Sequence, residues 1–165
     1  MGQVHLFLFL VAAQRAAELA WSWRNERRLR ARGAVEHGRR HYPAFVALHA
    51  GLLVALWLSA PIERPLVLGW FAFWLLLQPA RLWVIASLGE RWTTRVLVLP
   101  GAPLVARGPY RWLRHPNYLI VALEVPAIAL ACDEPGLALA FGLANLALLA
   151  LRVRVEDRAL GRRRE

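Results

Sequence analysis

Five apolar runs, separated by connectors of sharply unequal charge, constrain this chain more than any other feature. The runs cover residues 4–23, 43–60, 65–87, 116–131 and 135–153. Each is near the roughly 20 apolar residues that a helix needs to cross a bilayer. Pro43, Pro65, Pro116 and Pro135 open four of them, at a place where a missing backbone N–H removes no helical bond. The fourth run is short and contains Pro126, which predicts a kink or tilt there.

The connectors carry the second constraint. All 21 basic residues are arginine: seven lie between positions 24 and 40, five between 91 and 114, and six between 152 and 164. By contrast, residues 61–64 hold one Arg and one Glu, and residues 132–134 hold two acids and no base. Eighteen of the 21 arginines therefore fall on one side of a five-helix plan. The bias of basic loops toward the cytoplasm puts that side inside, with the N-terminus outside and the C-terminus in the cytoplasm. The expected fold is an all-α integral membrane domain of five transmembrane helices covering residues 1–165, in a bacterial cytoplasmic membrane.

Composition supports this reading. Hydrophobic residues make up 58% of the chain, against about 45–50% in ordinary soluble domains. The formal charge of +10 suggests nucleic acid at first, but arginine blocks placed between apolar runs fit membrane lipids as the partner instead. The single Cys132 excludes an intrachain disulfide and cannot build a zinc site alone, so no metal is expected. No basic n-region precedes the first apolar run, so it reads as a span and not as a secretory signal.

Polar residues inside the runs mark candidate function. Gln14, Glu18, Ser22 and Asn25 share one helical face in the first run, beside Arg15. His49 lies in the second, Gln78 and Arg81 in the third, Glu124 in the fourth and Asn145 in the fifth, with Arg152 and Glu156 on the face of Asn145. Ionisable groups at membrane depth face the bundle interior or a wet cavity. One polar stripe per helix predicts a common cavity opening toward the arginine-rich side. The competing reading is interhelical glue, with Arg15–Glu18 and Arg81–Glu124 as ion pairs. Glu124 is nine residues beyond His115 and so about 13 Å into its helix, where a carboxylate needs a partner.

The stretch Tyr110-Arg-Trp-Leu-Arg-His-Pro-Asn-Tyr118 places Arg114 and His115 at a helix mouth. Free N–H groups and the positive helix end there suit a carboxylate or phosphate. Tyr118, three residues from His115, adds an aromatic wall, while Asn117 and Glu124 share a different side. The preceding segment, with Gly101, Pro103, Gly108 and Pro109 around Leu104-Val105, reads as a structured re-entry loop.

"LVARGPYRWLRHPNYL", followed one span later by "RVRVEDRAL", resembles the isoprenylcysteine carboxyl methyltransferase family. The likeness covers residues 104–160 and extends more loosely to residues 24–49. It departs in three places: Glu156-Asp157 replaces a Glu-Glu pair, Ile120 stands where a glycine is often found, and longer members continue past Glu165. The resemblance implies a membrane methyltransferase using S-adenosylmethionine, with a cofactor-binding part at about residues 101–165. Carried over by motif, Leu104, Val105, Gly108, Tyr110, Arg114, His115, Pro116 and Tyr118 would line the cofactor site. Glu156 and Asp157 would close it, and Arg152 would lie nearest the transferred methyl.

The acceptor follows less directly. An Arg-, Ala- and Leu-rich composition points to a high-GC bacterium, where prenylated protein tails are not expected. Bacterial relatives that the chain resembles methylate lipid-like pyrones and phenols, so the expected substrate is a small lipophilic acid, enol or phenol. The same reading leaves carboxyl methylation of an isoprenylated cysteine compound possible in vitro. Glu18, Asn25, His41, His49 and Asn145 are expected to read its head group, with Glu124 or His49 as proton acceptor for a phenol. Two alternatives stand beside this reading. One is a nicotinamide-dependent reductase of the sterol-reductase kind, which has a similar Arg-His-Pro-Asn-Tyr motif in a longer chain. The other is a non-enzymatic membrane scaffold with basic loops on anionic lipid.

Overall fold

The computed structural model describes residues 2–161; Arg162, Arg163 and Arg164 of the last basic block lie outside them. Five helices follow the five apolar runs: α1 (Gln3–Ala31), α2 (Tyr42–Ser59), α3 (Leu68–Leu88), α4 (Pro116–Ala131) and α5 (Pro135–Gly161). Pro116 and Pro135 start their helices as expected, but α3 begins three residues after Pro65. Both α1 and α5 run eight residues past the expected ends at 23 and 153. Arginine is a good helix former, and no glycine or proline interrupts α1 before Gly33, which takes a left-handed φ of 84°. At 29 residues, α1 is about 43 Å long, enough to reach through the headgroup layers as well as the hydrocarbon.

Four helices are long and apolar enough to cross a membrane; α4, at 16 residues, is a shorter apolar helix. Its length of about 24 Å falls short of a hydrocarbon core of about 30 Å. The helix continues through Pro126 without ending there, as α3 does through Pro79.

A small sheet was not foreseen. Strand β1 (Val35–His37) pairs antiparallel with β2 (Val96–Val98), Glu36 opposite Leu97. Three residues are too few for an alternating pattern to stand out. The sheet ties the α1–α2 connector to the α3–α4 connector, so two arginine-rich segments lie together at one end of the bundle. Glu36 joins them through Arg30 at 2.5 Å and Arg95 at 2.7 Å. Burial alone would raise the Glu36 carboxyl, but these two hydrogen-bonded arginines outweigh it and hold it below its ordinary value. At the other end, Arg64 meets Glu134 at 2.6 Å, joining the two arginine-poor connectors.

The apolar core sits toward that second end. Val4, Phe7 and Val11 of α1 pack with Leu52 and Leu56 of α2, Trp74 of α3, and Val125 and Ile128 of α4. Phe7 meets Phe71 and Trp74 edge-on, with centroids 5.4 and 5.0 Å apart. Ala127, Ala129, Ala131 and Ala138 are buried where α4 turns into α5, and small residues let neighbouring helices approach. Outward, Leu10, Leu58, Leu76, Leu139 and Leu143 are exposed, as expected of helices whose solvent is lipid.

Candidate functional site

Among the polar residues expected to share one cavity, two separate groups form. In the first, Arg81 of α3 grips Glu18 of α1 through two nitrogens, each 2.6 Å from a carboxylate oxygen. Its remaining terminal nitrogen reaches Glu124 of α4 at 2.6 Å. Arg15 spans the same two carboxylates, at 2.8 Å from Glu18 and 2.9 Å from Glu124. Gln78 donates to Glu124 and Gln14 to Glu18, each at 3.1 Å. Two cations and two anions thus saturate one another at the junction of α1, α3 and α4. Opposite charges in a low dielectric attract strongly, and every carboxylate oxygen here has a partner. Glu124, only 2% exposed, does not border the cavity described next. The Arg15–Glu18 and Arg81–Glu124 pairs are present as the glue reading expected.

The second group lines a cavity of about 500 Å³ between α4, α5 and the segment that joins α3 to α4. Leu104, Val105, Tyr110, Arg114, His115, Tyr118, Arg152 and Glu156 border it. His115 caps α4, and its ring stacks on Tyr118 with centroids 5.4 Å apart and planes at 15°. Tyr118 donates its hydroxyl proton to Glu156 and accepts from Arg152 Nε at 3.0 Å. The Arg152 guanidinium also lies 5.2 Å from the Phe45 ring centroid and donates to the Thr94 carbonyl at 2.6 Å. Asp157 holds His115 at 3.0 Å and Arg114 at 3.1 Å from outside the cavity. Burial, with Glu156 nearby, pushes the Tyr110 phenol above its ordinary range, so it stays a neutral donor.

Backbone geometry places the loop wall. Gly108 has a φ of 58°, and a Cβ there would come within 2.0 Å of Ser87 Oγ. Only glycine allows that turn and that approach. Arg107 Nε donates to the Ser87 carbonyl at 2.8 Å, fastening the same corner to α3. Pro116, at the first position of α4, is buried and shapes the helix start without bordering the cavity.

The residues expected to read an acceptor do not converge on the cavity. Glu18 belongs to the ion cluster. His49 Nδ1 lies 2.8 Å from its own helix's Phe45 carbonyl, and His41 packs against the Phe45 ring at 6.4 Å. Asn145 is fully buried and donates to the Val121 carbonyl at 3.2 Å, joining α5 to α4. Asn25 donates to the Gly89 and Trp92 carbonyls, at 3.1 and 2.8 Å. It therefore holds a piece of the cavity wall from behind.

Three further wall residues carry no mark in the sequence: Arg91, Trp92 and Arg95 all border the cavity, and Asn117, expected on the side of Glu124, borders it too. Thr94 does too little in sequence to be noticed, yet its hydroxyl meets Ser22 at 3.0 Å and Tyr42 at 3.2 Å while its carbonyl holds Arg152. A tryptophan beside arginines is an ordinary interfacial anchor, so the sequence offers no signal for Trp92.

A family model described as isoprenylcysteine carboxyl methyltransferase (ICMT) matches residues 70–162, which include the whole loop, α4 and the acidic pair. This chain belongs to the isoprenylcysteine carboxyl methyltransferase family. Membership implies a membrane methyltransferase, and the apolar helices fit an integral membrane protein. The chain is 36% identical to the uncharacterized protein YpbQ of Bacillus subtilis (strain 168), over 94% of this chain and 95% of the relative. It is 27% identical to an uncharacterized protein of Haemophilus influenzae, over 95% and 94%. No solved structure gives a significant match.

Proposed function

We propose that this family member is a methyltransferase that takes its methyl group from S-adenosylmethionine, held in the cavity between α4, α5 and the 88–115 segment. One observation carries this: the two motif segments, about 40 residues apart in the chain, meet as a single His115–Tyr118–Glu156–Arg152 array on one cavity. The residues present suit the cofactor. A volume of about 500 Å³ is within the usual range for small-molecule sites. Glu156 and the two tyrosines suit a sulfonium, and Arg114 at the mouth of α4 suits a carboxylate. Trp92 and Asn117 add a flat apolar ring and a neutral amide to the same wall.

When bound, S-adenosylmethionine supplies a methyl group on a positively charged sulfur. The chain's own residues then position and desolvate the oxygen that receives it, which is most of what an in-line displacement requires. Arg152, held by Tyr118 and Thr94 at the edge of the cavity, would orient an anionic oxygen. An acid or acidic enol reacts as its anion and needs no general base, while a phenol would give its proton to Glu156, the carboxylate that borders the cavity; we expect a small lipophilic acid, enol or phenol arriving from the bilayer. The arginine-rich end, where the cavity lies, is assigned to the cytoplasm.

Calorimetry on the detergent-purified protein tests this. Binding of S-adenosylhomocysteine without binding of reduced nicotinamide cofactor is expected, followed by labelled methyl transfer to at least one compound of an alkylpyrone, alkylresorcinol and prenylcysteine panel. Binding of the nicotinamide alone would replace this reading with the reductase, and binding of neither would leave a scaffold.

A further inference from the structure

On the polar face of α1, Ser22 neither joins the ion cluster nor borders the cavity. It is 1% exposed, and its hydroxyl oxygen accepts the backbone N–H of Thr94 at 2.8 Å. The same oxygen lies 3.0 Å from Thr94 Oγ1, which also meets the Tyr42 hydroxyl at 3.2 Å. Tyr42 is itself pinned, with the Arg95 guanidinium 4.0 Å from its ring centroid. Thr94 is therefore held through its amide and its side chain, from α1 and from α2. The sheet does not supply these bonds, since its pairing ends at Val96.

The result is a fixed direction for the Thr94 carbonyl. That carbonyl accepts from Arg152 Nη2 at 2.6 Å, while Arg152 Nε donates to the Tyr118 hydroxyl at 3.0 Å. A guanidinium is a rigid planar fork, so bonds at two of its nitrogens set its plane, where one bond would let it swing. The Tyr118 bond comes from the cavity wall. The Thr94 bond comes from behind it: Arg152 borders the cavity, whereas Ser22, Tyr42 and Thr94 do not. An arginine aimed at a reacting oxygen has to keep its place, because a displacement of about 1 Å costs up to about a hundredfold in rate.

We infer that Ser22 and Tyr42 are positioning residues which, through the Thr94 carbonyl, set the plane of Arg152 for the methyl acceptor. The inference rests on the methyltransferase reading above and deepens it by tying the reacting centre to α1 and α2. In that reaction a lone pair of the acceptor oxyanion forms the O–C bond as the C–S bond opens. The electron pair of the broken bond leaves on sulfur. Ser22 and Tyr42 touch none of these atoms and act only on the group that orients them.

Trp92, Thr93 and Arg95 border the cavity on either side of Thr94. A residue that merely supported this segment would, when lost, weaken cofactor binding and turnover together. Ser22→Ala should instead lower kcat about tenfold per S-adenosylhomocysteine site, with affinity for S-adenosylhomocysteine in calorimetry within about twofold of wild type. Turnover is labelled methyl transfer to whichever alkylpyrone, alkylresorcinol or prenylcysteine compound the wild-type chain accepts. Thr94→Val keeps the shape and the amide bond but loses the hydroxyl, and should slow transfer by about threefold. Thr94→Ser should restore the rate. A second readout needs no acceptor: the ¹⁵N signals of the Arg152 Nη groups, assigned by their loss in Arg152→Lys. In Ser22→Ala they should average at least about tenfold faster than in the wild-type chain. Wild-type kcat with unchanged Arg152 signals in Ser22→Ala overturns the inference and leaves the methyltransferase standing. So does a Ser22→Ala chain whose cofactor affinity falls as far as its rate, or a Thr94→Ser chain as slow as Thr94→Val. If Ser22→Ala does not fold, Thr94→Val decides by the same measures; if no panel compound is turned over, the Arg152 signals decide alone. A wild-type chain that binds no S-adenosylhomocysteine ends both readings together.

Discussion

Replacing Arg81 by Met removes one cation from a buried cluster that holds two of each sign. Arg81 is 6% exposed and makes three 2.6 Å bonds, two to Glu18 and one to Glu124. After the substitution both carboxylates must share Arg15, with Gln14 and Gln78 as the remaining donors. Removing one partner of a buried pair costs about 3–5 kcal/mol. Arg15 still contacts both acids, so the low end, about 3 kcal/mol, is expected. In a chain of 165 residues each kcal/mol moves the thermal midpoint by about 2–4 °C, giving a fall of about 6–12 °C. The assay is thermal unfolding in detergent, with the Arg81→Met, Glu124→Gln double variant alongside. That pair restores charge balance between Arg15 and Glu18 and should recover about half of the loss. The reasoning fails if Arg81→Met shifts the midpoint by less than about 2 °C, or if the double variant is no more stable than the single. A normal midpoint with lost acceptor turnover would make the cluster a substrate site.

Three other outcomes are expected. Gly108→Ala places a Cβ 2.0 Å from Ser87 Oγ at a φ of 58°; it should cost about 1–3 kcal/mol of stability, with Ser87→Gly recovering only the steric part in the same unfolding assay. Tyr118→Phe removes the hydroxyl shared by Arg152 and Glu156, and affinity for S-adenosylhomocysteine should fall by about tenfold or more in calorimetry while the unfolding midpoint holds. Because Glu36 titrates below its ordinary value when folded, its contribution to the β1–β2 sheet is present above that ordinary value and is lost as pH falls through the depressed one. Amide protection factors at residues 35–37 and 96–98, taken relative to the intrinsic exchange rate at each pH, should therefore fall in acid, and Glu36→Gln should flatten that dependence.

Much of the architecture was legible from local signals. Apolar runs must become helices in a bilayer because lipid offers the backbone no hydrogen bonds, so the existence and order of α1 to α5 followed from residue type alone. Pro116 and Pro135 marked two helix starts for the same local reason. The His115–Tyr118 stack was also readable, since three residues along a helix bring two rings to one side. Proline at 65 misled, because it ends a connector as well as it starts a helix.

The polar residues were another matter. Sequence periodicity puts Glu18 and Asn25 on one face of α1, yet Glu18 closes an ion cluster with Arg81 while Asn25 braces the cavity wall at Trp92. Periodicity states which residues share a face; it does not state what lies opposite. That depends on how α1, α3 and α4 cross, and on which charges find each other when no water is left to satisfy them. Residue type along the chain was enough for the helices, for the segregation of arginine to one end and for the motif that marks the family. How the helices cross is what pairs Glu18 and Glu124 with Arg15 and Arg81, and what gathers Arg152, Tyr118 and Glu156 around a cavity. Side-chain pairing at long range is set by packing, and packing is the part that no single stretch of sequence contains.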